Sequence, residues 1–114
     1  MSKQHENGIK GEELAVSYLL KQQYEIVARN WRFKRSEIDI IAKKENKLIF
    51  VEVKYRINNQ YGFPEEFVTE NKKLKMHEAA EAYIEQNNWQ GELRFDIIAV
   101  ENENEIKHFE DAFY

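Results

Sequence analysis

At 114 residues, with 42% apolar and 33% charged residues, the chain has the size and balance of one globular domain and not of a multidomain, disordered or fibrous protein. It has no cysteine, which excludes disulfides, thiolate chemistry and Cys-based zinc sites; its N-terminus is polar and no apolar run exceeds four residues, so no membrane contact is expected and the cytoplasm is the default location. The net charge of -4 conceals a split, since residues 21–56 carry ten Lys/Arg against five Asp/Glu and residues 57–114 carry five against thirteen; this fits a basic functional face on an acidic back, and equally an unevenly charged solvated surface.

Residues 8–22 have helical spacing, with Ile9, Val16, Leu19 and Leu20 on one stripe at about 100° per residue. Counted from Ile9, Glu12 falls at roughly 300°, between Leu19 and Val16, so its carboxylate is expected to face the protein. An inward carboxylate needs a partner or a reason. Glu13 reads as the edge of that face, and Gly8 and Gly11 read as helix-start geometry or close packing, since neither a preceding strand nor a Gly-Lys-Ser/Thr ending makes them a phosphate loop. Residues 24–33, YEIVARNWRF, read as a strand rich in aromatic and β-branched residues.

The stretch SEIDIIAKKENKLIFVEVK, residues 36–54, reads as a hairpin turning at Glu45-Asn46. With an even loop length, Ile38 opposes Val53, Ile40 opposes Val51 and Ala42 opposes Ile49, giving one wholly apolar face. The other face pairs Ile41 with Phe50, Asp39 with Glu52 and Glu37 with Lys54, apolar in its middle and charged at one end. Both faces are then at least partly covered, the habit of a sheet between helices, and the expected fold is a single α/β domain, residues 1–114, with a mixed central sheet flanked by helices. Residues 56–68 hold no period and contain Gly62 and Pro64, so they read as a loop. A second helix follows, capped by Thr69, with Met76, Ala79, Ala80 and Tyr83 on one side and Lys72 one turn earlier on that same side. Residues 92–101 and 106–109 read as the last two strands.

Directly opposed, Asp39 and Glu52 would have β-carbons about 4.5–5.5 Å apart, where like charges destabilise the pair. Hard divalent cations take oxygen ligands, and Mg²⁺ needs only one or two carboxylates plus waters and phosphate oxygens. Lys54, on the face of Glu52, would stand beside such an ion and could position a water or offset charge developing at phosphorus, and Glu12 could supply a third carboxylate. The plain alternative is a surface salt-bridge cluster. Arg29, Arg32, Lys34, Arg35 and Arg56 could grip a nucleic-acid backbone, with Lys72 reaching a phosphate near the site; Trp31 could stack a base but fits the core better. His5, His77 and His108 match no ligand spacing.

The blocks GIKGEELAVSYL, ARNWR, SEIDIIA, FVEVKYR, VTENKKLKMHEAAEAYI and RFDIIAV, in this order over nearly the whole chain, resemble the YraN-type family of uncharacterised bacterial proteins. That family is similar to the restriction-endonuclease-like superfamily with its PD-(D/E)xK motif, and within it to the archaeal Holliday-junction resolvases. The resemblance implies a metal-binding aspartate at Asp39, the E-x-K pair at Glu52 and Lys54, and the helix acid at Glu12; Ser36 stands where the family usually has glycine. The implied activity is Mg²⁺- or Mn²⁺-dependent hydrolysis of phosphodiester bonds in nucleic acid, DNA ahead of RNA and branched DNA included, for which a two-fold homodimer would be suited. The alternative is a non-catalytic nucleic-acid-binding module that keeps the nuclease fold, and a pure protein-interaction factor is a third reading.

Overall fold

Two tight reversals and one long helical return order the chain. The structure, a computed structural model, describes residues 3–56, 69–102 and 105–112, with side chains from Ile9 onward and without that of Arg56. Of the expected loop at residues 56–68, Arg56 is the last residue of a strand, and residues 57–68 lie outside the described residues. Helix α1 (Lys3–Lys21) leads through a turn with Gln23 at φ 72° into strand β1 (Glu25–Phe33). The two-residue turns Lys34-Arg35 and Glu45-Asn46 then link β1 to β2 (Ser36–Lys44) and β2 to β3 (Lys47–Arg56), and the first residue of each turn takes a left-handed φ, 57° and 58°. Helix α2 (Glu70–Asn87) carries the chain back so that β4 (Glu92–Glu101) lies parallel to β3, and β5 (Glu105–Phe109) closes the far edge antiparallel to β4. The result is a five-stranded mixed sheet in the order β1-β2-β3-β4-β5. Among the described residues no helix is long and apolar enough to cross a membrane.

Each face of the sheet has its own apolar cluster, as alternation along β3 requires. Ile49 and Val51 meet Ala15 and Leu19 of α1, whereas Leu48 and Phe50 meet Ala79, Ala80 and Tyr83 of α2. The expected side of α2, including Met76, is the buried one, and Thr69 caps it by accepting the Lys72 N–H at 3.1 Å. Trp31 joins the α2-side cluster, edge-on to Tyr83 at 5.4 Å between ring centroids, so its indole is used in packing.

The phase of α1 differs from the expectation. Its buried line is Gly11, Ala15 and Leu19, while Ile9 and Leu20 are 45% and 53% exposed. The reason is close approach: a Cβ on Gly11 would stand 3.0 Å from Cδ2 and 3.2 Å from Cβ of Tyr55, so α1 turns its smallest residues to the sheet and its larger ones outward.

At the other end of α1, Asp96 of β4 is fully buried and fully answered. It accepts from Arg94 Nε and Nη2, both at 2.9 Å, from His108 at 2.7 Å and from the Asp111 N–H at 3.0 Å. A carboxylate only accepts, so His108 Nε2 carries a proton toward Asp96, while Nδ1 shares a hydrogen bond with the Tyr18 hydroxyl at 3.0 Å. Tyr24 accepts from Arg94 Nη2 at 2.7 Å. Burial alone would push the Asp96 carboxyl up, but its hydrogen bonds from His108, Arg94 and Asp111 outweigh burial and hold it below the usual carboxylate range. One side chain thus ties α1, β4, β5 and the segment after β5 together. Asp96→Ala leaves the half-buried Arg94 guanidinium only Tyr24 and the exposed Glu110, at 3.2 Å, as partners and should destabilise the fold by about 3 kcal/mol, read as a lower urea midpoint; a change below about 0.5 kcal/mol would remove this role from Asp96.

Candidate active site

The β2–β3 ladder runs from Lys44↔Lys47 to Ile40↔Val51 in the register expected from the sequence, and there it stops. Beyond it, Ile38–Val53, Asp39–Glu52 and Glu37–Lys54 are not ladder partners, contrary to the simple hairpin expectation. β2 breaks its alternation at Asp39, a local kink between Ile38 and Ile40. On the β1 side, Arg29↔Ile40 and Trp31↔Ile38 flank an unpaired Asn30, which takes φ 51°; asparagine is among the few residues that tolerate that region. The kink sends Ile38 to the α2-side cluster while Ile40 stays on the α1 side.

Asp39 fills the opening. Its Oδ2 accepts the Val53 N–H at 2.8 Å, so a side chain takes the place of the missing ladder acceptor and holds the two strands at a fixed separation. Glu52, one residue earlier on β3, has a side chain only 6% exposed. Lys54 Nζ stands 3.4 Å from its Oε1, as expected for neighbours on one face of a strand, and Lys72 Nζ of α2 stands 3.6 Å from its Oε2. Glu37 instead pairs with Arg32 at 2.8 Å.

Glu12 faces inward from α1 as expected, with its side chain 17% exposed, and Glu13 is the exposed neighbour at 64%. Arg29 Nη2 lies 3.7 Å from Glu12 and 3.5 Å from Glu13. Glu12 Oε1 and Glu52 Oε2 are buried and have no hydrogen-bond partner among the described residues. Burial foremost, then the charges of Glu52 and Glu12, raise the Asp39 carboxyl to about 7, against the opposing pull of the Val53 amide and the Lys72 ammonium. The charges of Glu12 on α1 and Glu52 on β3 thus both bear on Asp39 of β2.

Among the described residues no group of three or more acidic or histidine side chains is arranged to hold a metal ion by itself. The donor set nevertheless fits a hard cation. Mg²⁺ needs one or two carboxylates, with water and phosphate oxygens completing its shell, and two buried carboxylate oxygens without hydrogen bonds beside a repelled aspartate are what such an ion relieves. Asp39 and Glu52 are the residues that would hold it, with Glu12 beside them.

The expected basic surface divides in two. Arg29, Lys54 and Lys72 lie against the acids. Arg32 and Lys34 lie at the β1–β2 turn, where Arg32 pairs with Glu37 and Lys34 stands 3.9 Å from Glu78, and Arg35 beside them is exposed. Arg56 ends β3, and its side chain lies outside the described residues. What sequence reasoning missed is the Val53 amide, a backbone donor that no residue pattern announces, and the break at Asn30, for which the residue type was the available signal.

With its folded-state value raised, Asp39 contributes stability that is fully present below its ordinary value of 3.8 and is lost as pH rises through about 7. Without metal, the protein should lose stability between pH 4 and pH 8, on the order of 4 kcal/mol from this group. Asp39→Asn keeps an acceptor for the Val53 amide and should flatten the loss. Urea unfolding in chelator at pH 5 and pH 8 checks both, and equal wild-type stability at the two values would contradict the burial and repulsion described.

The family model described as "Uncharacterised protein family UPF0102" matches residues 11–100. The chain is 50% identical to a UPF0102 protein of Cytophaga hutchinsonii over 107 residues, covering 94% of this chain and 95% of that protein. It is 45% identical to one of Flavobacterium psychrophilum, covering 100% and 98%, and 46% identical to one of Clostridioides difficile, covering 95% and 96%.

Proposed function

Since the chain belongs to the UPF0102 family, whose description states no activity, we propose from its site that it is a metal-dependent nuclease that hydrolyses phosphodiester bonds in nucleic acid. The observation that carries the reading is the convergence of Glu12, Asp39 and Glu52 from three elements, with two buried oxygens lacking hydrogen bonds and Lys54 3.4 Å from Glu52. The sequence resemblance to the restriction-endonuclease-like superfamily supports it, because its acid, its aspartate and its E-x-K fall on these same four residues.

Asp39 and Glu52 would hold the ion, and Glu12 would hold a water or a second ion. When bound, Mg²⁺ or Mn²⁺ would acidify water and polarise the phosphoryl oxygen. Lys54 orients the attacking water or offsets the negative charge that grows at phosphorus, and its position beside Glu52 keeps that ammonium fixed before substrate arrives. Asp39, bonded to the Val53 amide, is fixed to β3 beside Glu52 before the ion arrives. DNA is the preferred substrate class over RNA, and branched DNA suits a homodimer with two sites. A cytoplasmic setting fits such a substrate.

One observation favours a second reading, a nucleic-acid-binding module that keeps the fold without cutting. Arg29 already stands against Glu12, and Lys54 and Lys72 against Glu52, so these two acids have cationic partners without an ion.

The test is cleavage of end-labelled four-way junction, flap, duplex and single-stranded DNA and of RNA in Mn²⁺. Cutting of one class is expected, with Glu52→Ala and Asp39→Ala abolishing it and Lys54→Ala reducing it about 10²–10³-fold. Undiminished cutting by Glu52→Ala would refute the assignment; binding without cutting, with affinity falling steeply in salt and indifferent to Asp39→Ala, would favour the second reading.

A further inference from the structure

Glu52 receives a cation on each oxygen, and the two cations are held differently. Lys54 shares the strand with Glu52, so its distance from Oε1 is set by β3 itself. Lys72 comes from the first turn of α2, where its backbone N–H is fixed by the Thr69 cap while its long side chain reaches across to Oε2. The approach is electrostatic only: at 3.6 Å there is no hydrogen bond, and Oε2 remains unpartnered. Lys72 also acts on Asp39, whose carboxyl it pulls down against the repulsion of Glu52 and Glu12. Its side chain is 37% exposed, so a route to solvent is open.

We propose that Lys72 is the resident counter-ion of this site: its ammonium stands over Glu52 Oε2, where a divalent cation would bind, and it must withdraw for the ion to enter. This rests on the metal-site reading above. A lysine suits the task, being a point charge on a flexible stem with no fixed bond to break. Once withdrawn it is free to meet a phosphate carried in with the ion, so Lys72 is a positioning residue that exchanges one anionic partner for another. Arg29 is less suited to exchange, since it is shared between Glu12 and Glu13.

The experiment is calorimetric titration of Mn²⁺ into the purified full chain without nucleic acid, comparing wild type, Lys72→Met, Lys72→Arg and Glu52→Gln. Lys72→Met keeps the stem and removes the charge, and should bind Mn²⁺ about fivefold tighter, while Lys72→Arg should stay near wild type. Glu52→Gln should bind at least about tenfold more weakly. Should Lys72→Met fail to fold, Lys72→Gln is read in the same titration. Wild-type binding with no tightening on loss of the charge would overturn the displacement role alone. No Mn²⁺ binding by wild type or by Lys72→Met would overturn it together with the metal site, so the two failures are distinguishable.

Discussion

The bond from the Val53 amide to the Asp39 carboxylate is the constraint around which the site is built. A hairpin that continued its ladder past Ile40 and Val51 would satisfy its backbone and leave no opening. Here the ladder to β3 ends after Val51 while that to β1 skips Asn30 and Asp39 and resumes in the same register, and a side-chain oxygen takes the Val53 amide. The strands stay tethered beyond the end of the ladder, and the carboxylate that tethers them is half-buried beside two others.

Two acids in one sheet, fully buried Asp96 and half-buried Asp39, show opposite solutions. Asp96 receives two bonds from one guanidinium, one from an imidazole and one from a backbone amide, and ionises more easily than a free aspartate. Asp39 has one amide donor, two acidic neighbours and a single opposing lysine, and ionises less easily. The first arrangement is what a structural carboxylate needs, with lone pairs answered and charge balanced. The second is under-compensated, and a fold tolerates such a group when stability gained elsewhere, here from two apolar clusters and the Asp96 network, outweighs the loss.

The charge split along the chain acquires a physical meaning in this frame. Much of the positive charge of residues 21–56 is spent internally: Arg29 on Glu12 and Glu13, Arg32 on Glu37, Lys54 on Glu52. The acidic second half answers some of the rest, through Lys34 with Glu78. Any anion approaching the site therefore competes with carboxylates that already hold these cations.

Much was legible in the sequence because it depends on local chemistry. Turn residues, period-2 and period-3.6 patterns, and the Thr69 cap determined the five strands and two helices, the hairpin register from Lys44 to Ile40, and the inward placement of Glu12 and Lys72. The side-chain period of a strand alone put Glu52 and Lys54 on one face. Only the tertiary structure decided the rest: that α1 packs through Gly11 and Ala15 and exposes Ile9, because Tyr55 admits no larger neighbour; that the hairpin opens at Asp39; and that His108 belongs to a buried network with Asp96. Each of these follows from a contact between residues distant in sequence, or from a backbone amide common to every residue type, and neither leaves a mark in the order of side chains.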